Sequence, residues 1–221
     1  MSDTPPAKSK DRRYEGEAVD ITYNLKRCIH AESCIHNLSA VFDSKRRPWI
    51  DANGAAADEV TRVVATCPSG ALHTERKDGG VGEAPPAQNT IRLWQHGPVQ
   101  FHGDLEIVGA AIDLHDETRA TLCRCGASHN KPFCDNTHKD SGFQADDPAA
   151  VTVQPLDPAG GKLKITVNPN GPLTVEGPLT ILNTAGESIY SGTKTWLCRC
   201  GGSQKKPFCD STHKKNGFQA E

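Results

Sequence analysis

The sequence lacks the segments that carry a protein into or across a membrane. Its longest apolar run, at about residues 107–112, is far shorter than the ~20 residues that span a bilayer. The first 20 residues are polar and carry charges of both signs, which excludes a secretory signal and an Arg-rich transit peptide. We therefore expect a soluble cytoplasmic protein that does not contact a membrane.

An excess of charge of one sign is also lacking, since 25 Lys and Arg face 27 Asp and Glu. This balance gives no reason to expect a nucleic-acid partner or an anionic lipid surface. The sequence has no Gly-rich phosphate loop and no HExxH or GxSxG motif. We expect no catalytic residues and no enzyme activity.

Aromatic residues are scarce at 5%, whereas cysteine is abundant, with nine residues. An odd number excludes a fully paired disulfide framework within one chain. In a reducing cytosol, clustered cysteines are metal ligands or redox groups more often than disulfides. Metal or redox chemistry is therefore the first interpretation, with disulfides as the alternative.

Two segments of low predicted order divide the chain. We interpret residues 1–16 as a disordered tail, and residues 77–88 (KDGGVGEAPPAQ) have the Gly and Pro content of a linker. Between them lies a domain over residues 17–76, in which residues 19–23 alternate as a strand and residues 55–66 have helical spacing. A second domain follows over residues 89–221.

The second domain contains an internal repeat, with copies at about residues 89–145 and 163–221. GPVQFHGDLEI begins at Gly97 and GPLTVEGPLTI at Gly171, and LCRCGASHNKPFCDNTH later matches LCRCGGSQKKPFCDSTH. Each copy is too small to bury much core alone. The repeat therefore predicts one β-rich domain with pseudo-twofold symmetry.

Each copy has three cysteines and one histidine in one short segment. Residues i and i+2 of an extended segment lie on one side, and residues i and i+4 share one face of a helical turn. Two adjacent donor pairs result, and they suit either one tetrahedral ion or two irons bridged by sulfide. A mononuclear Cys₃His zinc site is the competing interpretation. The predicted ligands are Cys123, Cys125, Cys134 and His138 in the first copy, and Cys198, Cys200, Cys209 and His213 in the second.

Both segments resemble the CDGSH iron–sulfur family, whose pattern is C-x-C-x₂-[ST]-x₃-P-x-C-D-G-[SAT]-H. The hydroxyl and proline positions are filled by Ser128, Pro132, Ser203 and Pro207. The glycine after Cys-Asp is replaced by Asn136 in one copy and Ser211 in the other. Because Asn tolerates a left-handed backbone better than Ser, we expect the second turn to differ slightly from the first.

The resemblance implies a [2Fe–2S] cluster in each copy, with two Cys on one iron and Cys plus His on the other. A neutral imidazole in place of a thiolate raises the reduction potential, as His does in Rieske centres. Its free nitrogen can titrate, and a protonated His is a poor ligand, so we expect clusters that are labile in acid. Family members often pair one motif from each of two chains, so tandem motifs suggest a monomer.

Three cysteines remain in the first domain: Cys28, Cys34 and Cys67, the last followed by Pro68. They are either buried structural thiols or cluster ligands. Residues 18–76 resemble a divergent single-cluster ferredoxin, whose C-x₂-C-x₂-C triplet and distant Cys-Pro bind a cluster. Ala31 occupies the central position of the triplet. The resemblance therefore favours a [3Fe–4S] cluster, with [4Fe–4S] as the alternative if His30 or His36 completes the site.

The sequence thus predicts an α+β fold class, with a small ferredoxin-like α/β domain followed by the β-rich domain that carries two CDGSH loops. The leading functional hypothesis is an electron carrier with two [2Fe–2S] clusters and one ferredoxin-type cluster. Transfer or storage of clusters, or redox sensing, is the alternative, and a zinc-bound interaction module is a third. We expect redox partner proteins or apo-proteins that accept clusters as partners.

Overall fold

A computed structural model describes residues 11–109 and 112–220. These residues form two compact units, which divide between Ala84 and Pro85, inside the segment 77–88 predicted to be a linker. The prediction of a disordered tail over residues 1–16 is wrong in part. Residues 1–10 lie outside the described residues, but Arg12–Tyr14 form a strand. This strand is held because Arg13 forms ion pairs with Asp20 at 3.0 Å and with Glu75 at 2.6 Å.

The first unit is a three-stranded antiparallel sheet with short helices beside it. Strand β2 alternates and buries Val19 and Ile21, which pack with the apolar face of α2. The sheet order is β1-β2-β3, so the last strand returns beside the second. The elements are β1 (Arg12–Tyr14), β2 (Val19–Tyr23), a 3₁₀ turn (Leu25–Arg27), α1 (Ser33–Asn37), α2 (Ala57–Val64) and β3 (Leu72–Arg76).

The structure is largely β. Within residues 11–109 and 112–220 the α-helices are α1, of five residues, and α2, of eight. The β-rich part of the fold prediction is confirmed, whereas an α+β ferredoxin-like fold for the first unit is not. None of the helices in the described part of the chain is both long and apolar enough to cross a membrane.

The second unit is one six-stranded sheet made of three strands from each sequence copy. Side chains of β5 alternate between buried and half-buried along its length, because one face of the strand packs into the core. The strands are β4 (Thr90–Leu93), β5 (Val99–Gly109), β6 (Ile112–Leu122), β7 (Lys162–Val167), β8 (Leu173–Leu182) and β9 (Ser188–Leu197).

The two copies pair with each other reciprocally. Strand β4 lies parallel to β8, with Thr90 opposite Thr180. Strand β7 lies parallel to β5, with Lys164 opposite Glu106. Equivalent positions of the two copies are 74 residues apart here, since Thr90 corresponds to Lys164 and Glu106 to Thr180. The β4–β8 pairing therefore becomes the β7–β5 pairing when the two copies are exchanged. Each copy therefore completes the sheet of the other.

Both predicted ligand segments leave this sheet at equivalent points. The first begins directly after β6, and the second directly after β9. Isolated bridges from Leu122 to Phe133 and from Leu197 to Phe208 return each segment against the strand from which it leaves. The ends of the two long hairpins therefore position the two candidate sites.

Asn89, a fully buried residue just before β4, holds the two copies together at one point. Its Nδ2 donates hydrogen bonds to the carbonyl oxygens of Gly161 and Pro178, both at 2.8 Å. Its Oδ1 accepts one from the amide of Asp104 at 3.1 Å. Gly103 lies against this side chain, and a Cβ at residue 103 would collide with Asn89 Oδ1.

Replacing this residue tests the reciprocal architecture. We expect Asn89→Ala to lower the free energy of unfolding by about 2–4 kcal/mol, because three part-buried hydrogen bonds of a fully buried side chain are lost. Urea unfolding of the metal-loaded protein measures this, with the exposed Gln154→Ala as control. Equal stability of the two variants would contradict the account.

Candidate metal centres

The structure brings the four predicted ligands of the first copy together as two pairs. Cys123 Sγ and Cys125 Sγ are 3.6 Å apart. Cys134 Sγ and His138 Nδ1 are 3.5 Å apart. The imidazole thus turns Nδ1 toward the neighbouring thiol and leaves Nε2 as its outer nitrogen.

The second copy repeats this arrangement. Cys198 Sγ and Cys200 Sγ are 3.7 Å apart, and Cys209 Sγ and His213 Nδ1 are 3.4 Å apart. The corresponding distances in the two copies agree within 0.1 Å. The internal repeat has therefore preserved donor geometry as well as donor identity.

The separation within each pair fits metal coordination. Two ligands on one tetrahedral ion with bonds of ~2.3 Å lie about 3.8 Å apart, close to the separations found here. Across the described parts of the chain, however, no three Cys, His, Asp or Glu side chains are grouped so that they can hold one ion.

Backbone hydrogen bonds from the strand hold the two pairs of the first copy in register. The amide of Cys123 donates to Pro132 O at 2.8 Å, and the amide of Cys134 donates to Thr121 O at 3.1 Å. Ser128 Oγ closes the intervening loop by donating to Phe133 O at 2.7 Å. The corresponding serine of the second copy does the same.

A tight turn presents the histidine in each copy. Asn136 and Ser211 both adopt the left-handed conformation, with φ of 70° and 69°, just before a 3₁₀ turn. The expected difference between the two turns is therefore absent from these backbone angles. The carboxylate of Asp135 accepts from the amide of Thr137 at 3.0 Å, and Asp210 makes the equivalent bond. These aspartates fix the turn that carries the ligand.

Burial and local hydrogen bonds divide the thiols into two kinds. Hydrogen bonding by Cys123, assisted by the amide of Ala127, lowers the pKa of Cys125 to about 6. Burial raises the pKa of Cys134 and of Cys198 to about 11. Metals bind the thiolate form, so metal held by the predicted ligands would displace protons from the two buried thiols.

The two ligand loops also touch each other. A Cβ on Gly126, whose φ is +82°, would lie 2.5 Å from the carbonyl oxygen of Cys200. A Cβ on Gly201, with φ +75°, would collide in the same way with the carbonyl of Cys125. Both positions require glycine for conformation and for space. The sequence analysis missed this contact, although the CRCG tetrapeptide common to both copies contains its signal.

The three cysteines of the first unit line one pocket. Cys28, Cys34 and Cys67 surround it, and Ala31 lies on its wall. Burial raises the pKa of Cys34 to about 11, and the nearby Cys67 adds to this rise. The structure thus brings three thiols to one pocket. The methyl group of Ala31 lies where the ferredoxin pattern has a further cysteine.

The two histidines considered as a fourth ligand differ in position. His30 lines the pocket and has a left-handed backbone, with φ of 52°. His36 is outside the pocket lining, where its Nε2 contacts Glu32 Oε2 at 3.2 Å and its side chain is 72% exposed. The geometry therefore favours His30 over His36.

Comparisons with known proteins match both units. The model of a family described as "Divergent 4Fe-4S mono-cluster" matches residues 14–77. The "Iron-binding zinc finger CDGSH type" family matches residues 96–139 and 170–214. The uncharacterised protein YjdI of Escherichia coli, from strain K12 and from O157:H7, is 38% identical over 66 residues, which are 30% of this chain and 87% of YjdI. No solved structure matches the chain.

These matches confirm the family resemblance of both units and support a protein that binds iron–sulfur clusters. The first family is described by a [4Fe–4S] cluster. The comparisons therefore do not support the [3Fe–4S] cluster that the sequence analysis ranks first, and they favour its alternative.

The histidine ligand predicts sensitivity to acid. Burial lowers the pKa of His138 below its ordinary value of about 6.5. Protonation therefore competes with metal in the first copy only below about pH 6.5. We expect His138→Cys to slow the loss of visible absorbance at about pH 5.5 several-fold, since a thiolate binds iron more strongly.

The exposed His129 supplies the matched control, because the second copy has Gln204 at this position. We expect His129→Gln to lose its absorbance at the rate of the unmodified protein. If His138→Cys also loses it at that rate, the histidine is not the acid-sensitive ligand.

Proposed function

We propose that this chain, which belongs to the divergent 4Fe-4S mono-cluster family and contains two CDGSH-type iron-binding domains, is an electron carrier. It would hold one [2Fe–2S] cluster in each CDGSH copy and one ferredoxin-type cluster in the first unit. The proposed ligands are Cys123, Cys125, Cys134, His138, Cys198, Cys200, Cys209, His213, Cys28, Cys34 and Cys67.

The duplicated pair geometry is the observation that carries this proposal. Each copy offers two donor pairs, 3.4–3.7 Å within a pair, and a binuclear cluster needs two ligands on each iron. When bound, such clusters supply one-electron redox chemistry. The chain contributes burial of Cys123 and Cys198, which are 1% and 2% exposed. His138 and His213 are partly exposed, so in this proposal they would exchange a proton with solvent.

For the first unit we propose a [4Fe–4S] cluster, with [3Fe–4S] as the form that three thiolates alone can hold. Ala31 provides no donor, so one iron of a four-iron cluster would depend on another ligand. His30 is the candidate that the pocket geometry supports. The unequal ligation predicts that this iron is lost first on oxidation.

The reciprocal strands of the second unit support function as a monomer. Family members often join two chains to make a two-cluster unit, and here the second copy supplies the strands that a partner chain would provide. We propose a cytoplasmic carrier whose partners are other redox proteins. Neither a nucleic acid nor a membrane is part of the proposal.

Cluster transfer, storage or redox sensing is the second candidate function. It is favoured by the histidine ligands, because His138 and His213 are partly exposed and a protonated imidazole releases metal. Incubation with an apo-ferredoxin distinguishes the two functions. Transfer at neutral or mildly acid pH supports the second, and retention at both together with reversible reduction supports the first.

The electron-carrier proposal predicts reversible reduction with potentials set by the ligands. We expect His138→Cys to lower the potential of the first-copy cluster, because a thiolate makes the site more negative. Potentiometry followed by EPR measures each couple, with His129→Gln as control. Absence of any reversible couple in the unmodified protein would refute the proposal.

The vacant ligand position predicts a gain from a fourth thiolate. We expect Ala31→Cys to suppress the [3Fe–4S] EPR signal that mild oxidation produces, because the fourth iron is then held by a stronger ligand. Ser39→Cys adds an exposed thiol outside the pocket lining and serves as control. Equal [3Fe–4S] signals in both variants would show that residue 31 does not face the cluster.

A further inference from the structure

Each Cys-x-Cys segment has a buried arginine at its centre. Arg124 and Arg199 are 3% and 1% exposed. The sulfurs on either side of each arginine are 3.6 and 3.7 Å apart, so they lie on one side of the segment. The guanidinium groups do not bond to these sulfurs but donate to backbone carbonyls of other segments.

Backbone carbonyls hold these two side chains in equivalent ways. Arg124 donates from Nε to Gly97 O at 2.8 Å and from Nη2 to Trp94 O at 2.6 Å. In the second copy Arg199 makes the matching bonds, to Gly171 O at 3.1 Å and to Asn168 O at 2.5 Å. Carbonyl groups orient a guanidinium but do not neutralise it. No carboxylate of the described residues acts on Arg199, whereas Asp147 acts on Arg124, and a buried charge without a counter-charge is costly.

In each copy a phenylalanine ring links the arginine to a lysine of the opposite copy. Phe143 packs against Arg124 at 5.5 Å and against Lys206 of the second copy at 5.8 Å. Phe218 packs in the same way against Arg199 at 5.2 Å and Lys131 of the first copy at 6.0 Å. The two copies therefore contact each other through these rings as well as through the glycines of the two loops.

The electrostatic environment of Arg199 is crossed, and that of Arg124 is crossed in its larger part. Burial lowers the pKa of Arg124 to about 10, opposed by the charges of Asp147, of Cys198 in the second copy and, to a smaller extent, of Cys125 in its own copy. Burial also lowers the pKa of Arg199, opposed by Cys123 of the first copy. Each arginine therefore lies within electrostatic range of the first ligand cysteine of the other copy.

One donor of Arg199 has no acceptor. Its Nη1 is buried and makes no hydrogen bond to any of the described residues. A buried charged donor of this kind is costly unless a bound group supplies an acceptor. The nearby donor set of the first copy would hold a cluster with thiolate and sulfide sulfurs, which accept hydrogen bonds.

We propose that the arginines act across the repeat, so that each copy raises the reduction potential of the cluster held by the other. Arg199 donates from Nη1 to a sulfur of the first-copy cluster, and Arg124 places its charge beside the second-copy cluster. The potential rises because a positive charge favours the more negative, reduced form of the cluster. This inference rests on the proposed function and goes beyond it by assigning the source of the potential.

The crossed pattern makes the proposal testable against a purely structural role. Arg199 lies between two ligands of the second copy, so a local structural effect would alter the second-copy cluster. The proposal instead predicts that Arg199→Gln mainly affects the first-copy cluster, and that Arg124→Gln mainly affects the second. A His213→Cys background gives the second-copy cluster a distinct EPR signal, so that the two couples can be titrated separately.

In that background we expect Arg199→Gln to change the ratio of reduced to oxidised first-copy cluster at least tenfold at a fixed potential. This is a shift of about 59 mV to lower potential for one electron. The second-copy cluster should move by less than a third of that amount. The mirror experiment uses Arg124→Gln with His138→Cys as the marker and should show the reverse order.

A charge-preserving variant covers the case in which Arg199→Gln does not assemble. Arg199→Lys keeps the positive charge but loses Nη1, and we expect a smaller lowering, again confined to the first-copy cluster. A shift mainly in the second-copy cluster, equal shifts in both, or no shift overturns the proposal. Loss of only the second-copy cluster in both variants also overturns it. Reversible couples without the crossed pattern leave the electron-carrier function intact, whereas absence of any reversible couple refutes that function itself.

Discussion

The spacing of donors within each pair is the constraint on which the second unit depends. Two sulfurs, or a sulfur and an imidazole nitrogen, are held 3.4–3.7 Å apart although neither is covalently linked to the other. The strand end supplies one pair, and the turn after Asn136 or Ser211 supplies the other. Backbone hydrogen bonds join the segments that carry the two pairs, so the strand end fixes the position of one pair relative to the other.

Because the ligand segment is duplicated, the second unit contains two candidate sites. Strands β4 and β7 cross to the opposite copy, and the ligand loops meet at Gly126 and Gly201. Aromatic rings and buried guanidinium groups fill the layer between the loops. Because neither copy is complete without the other, a change in one site is expected to be felt at the second. Bound clusters also add folding energy to a chain with few aromatic residues.

The sequence predicted the features that depend on local spacing. Alternation located β2, helical spacing located α2, and cysteine spacing located both donor sets. It did not predict the exchange of β4 and β7 or the buried role of Asn89, because these depend on contacts about 70–90 residues apart in the chain. The strand Arg12–Tyr14 was missed because its ion pairs form with residues of β2 and β3. The ligand spacing was visible in the sequence, whereas the only sign of the contact between the loops was the glycine that follows each CRC segment.

Iron and acid-labile sulfide analysis of anaerobically prepared protein, combined with EPR, tests the central claim most directly. Two binuclear sites and one four-iron site predict about eight irons per chain, or about seven if the first unit holds [3Fe–4S]. Sulfide should equal about eight in both cases. Zinc without labile sulfide, or a single metal ion in each CDGSH copy, would contradict the assignment of two donor pairs to two irons.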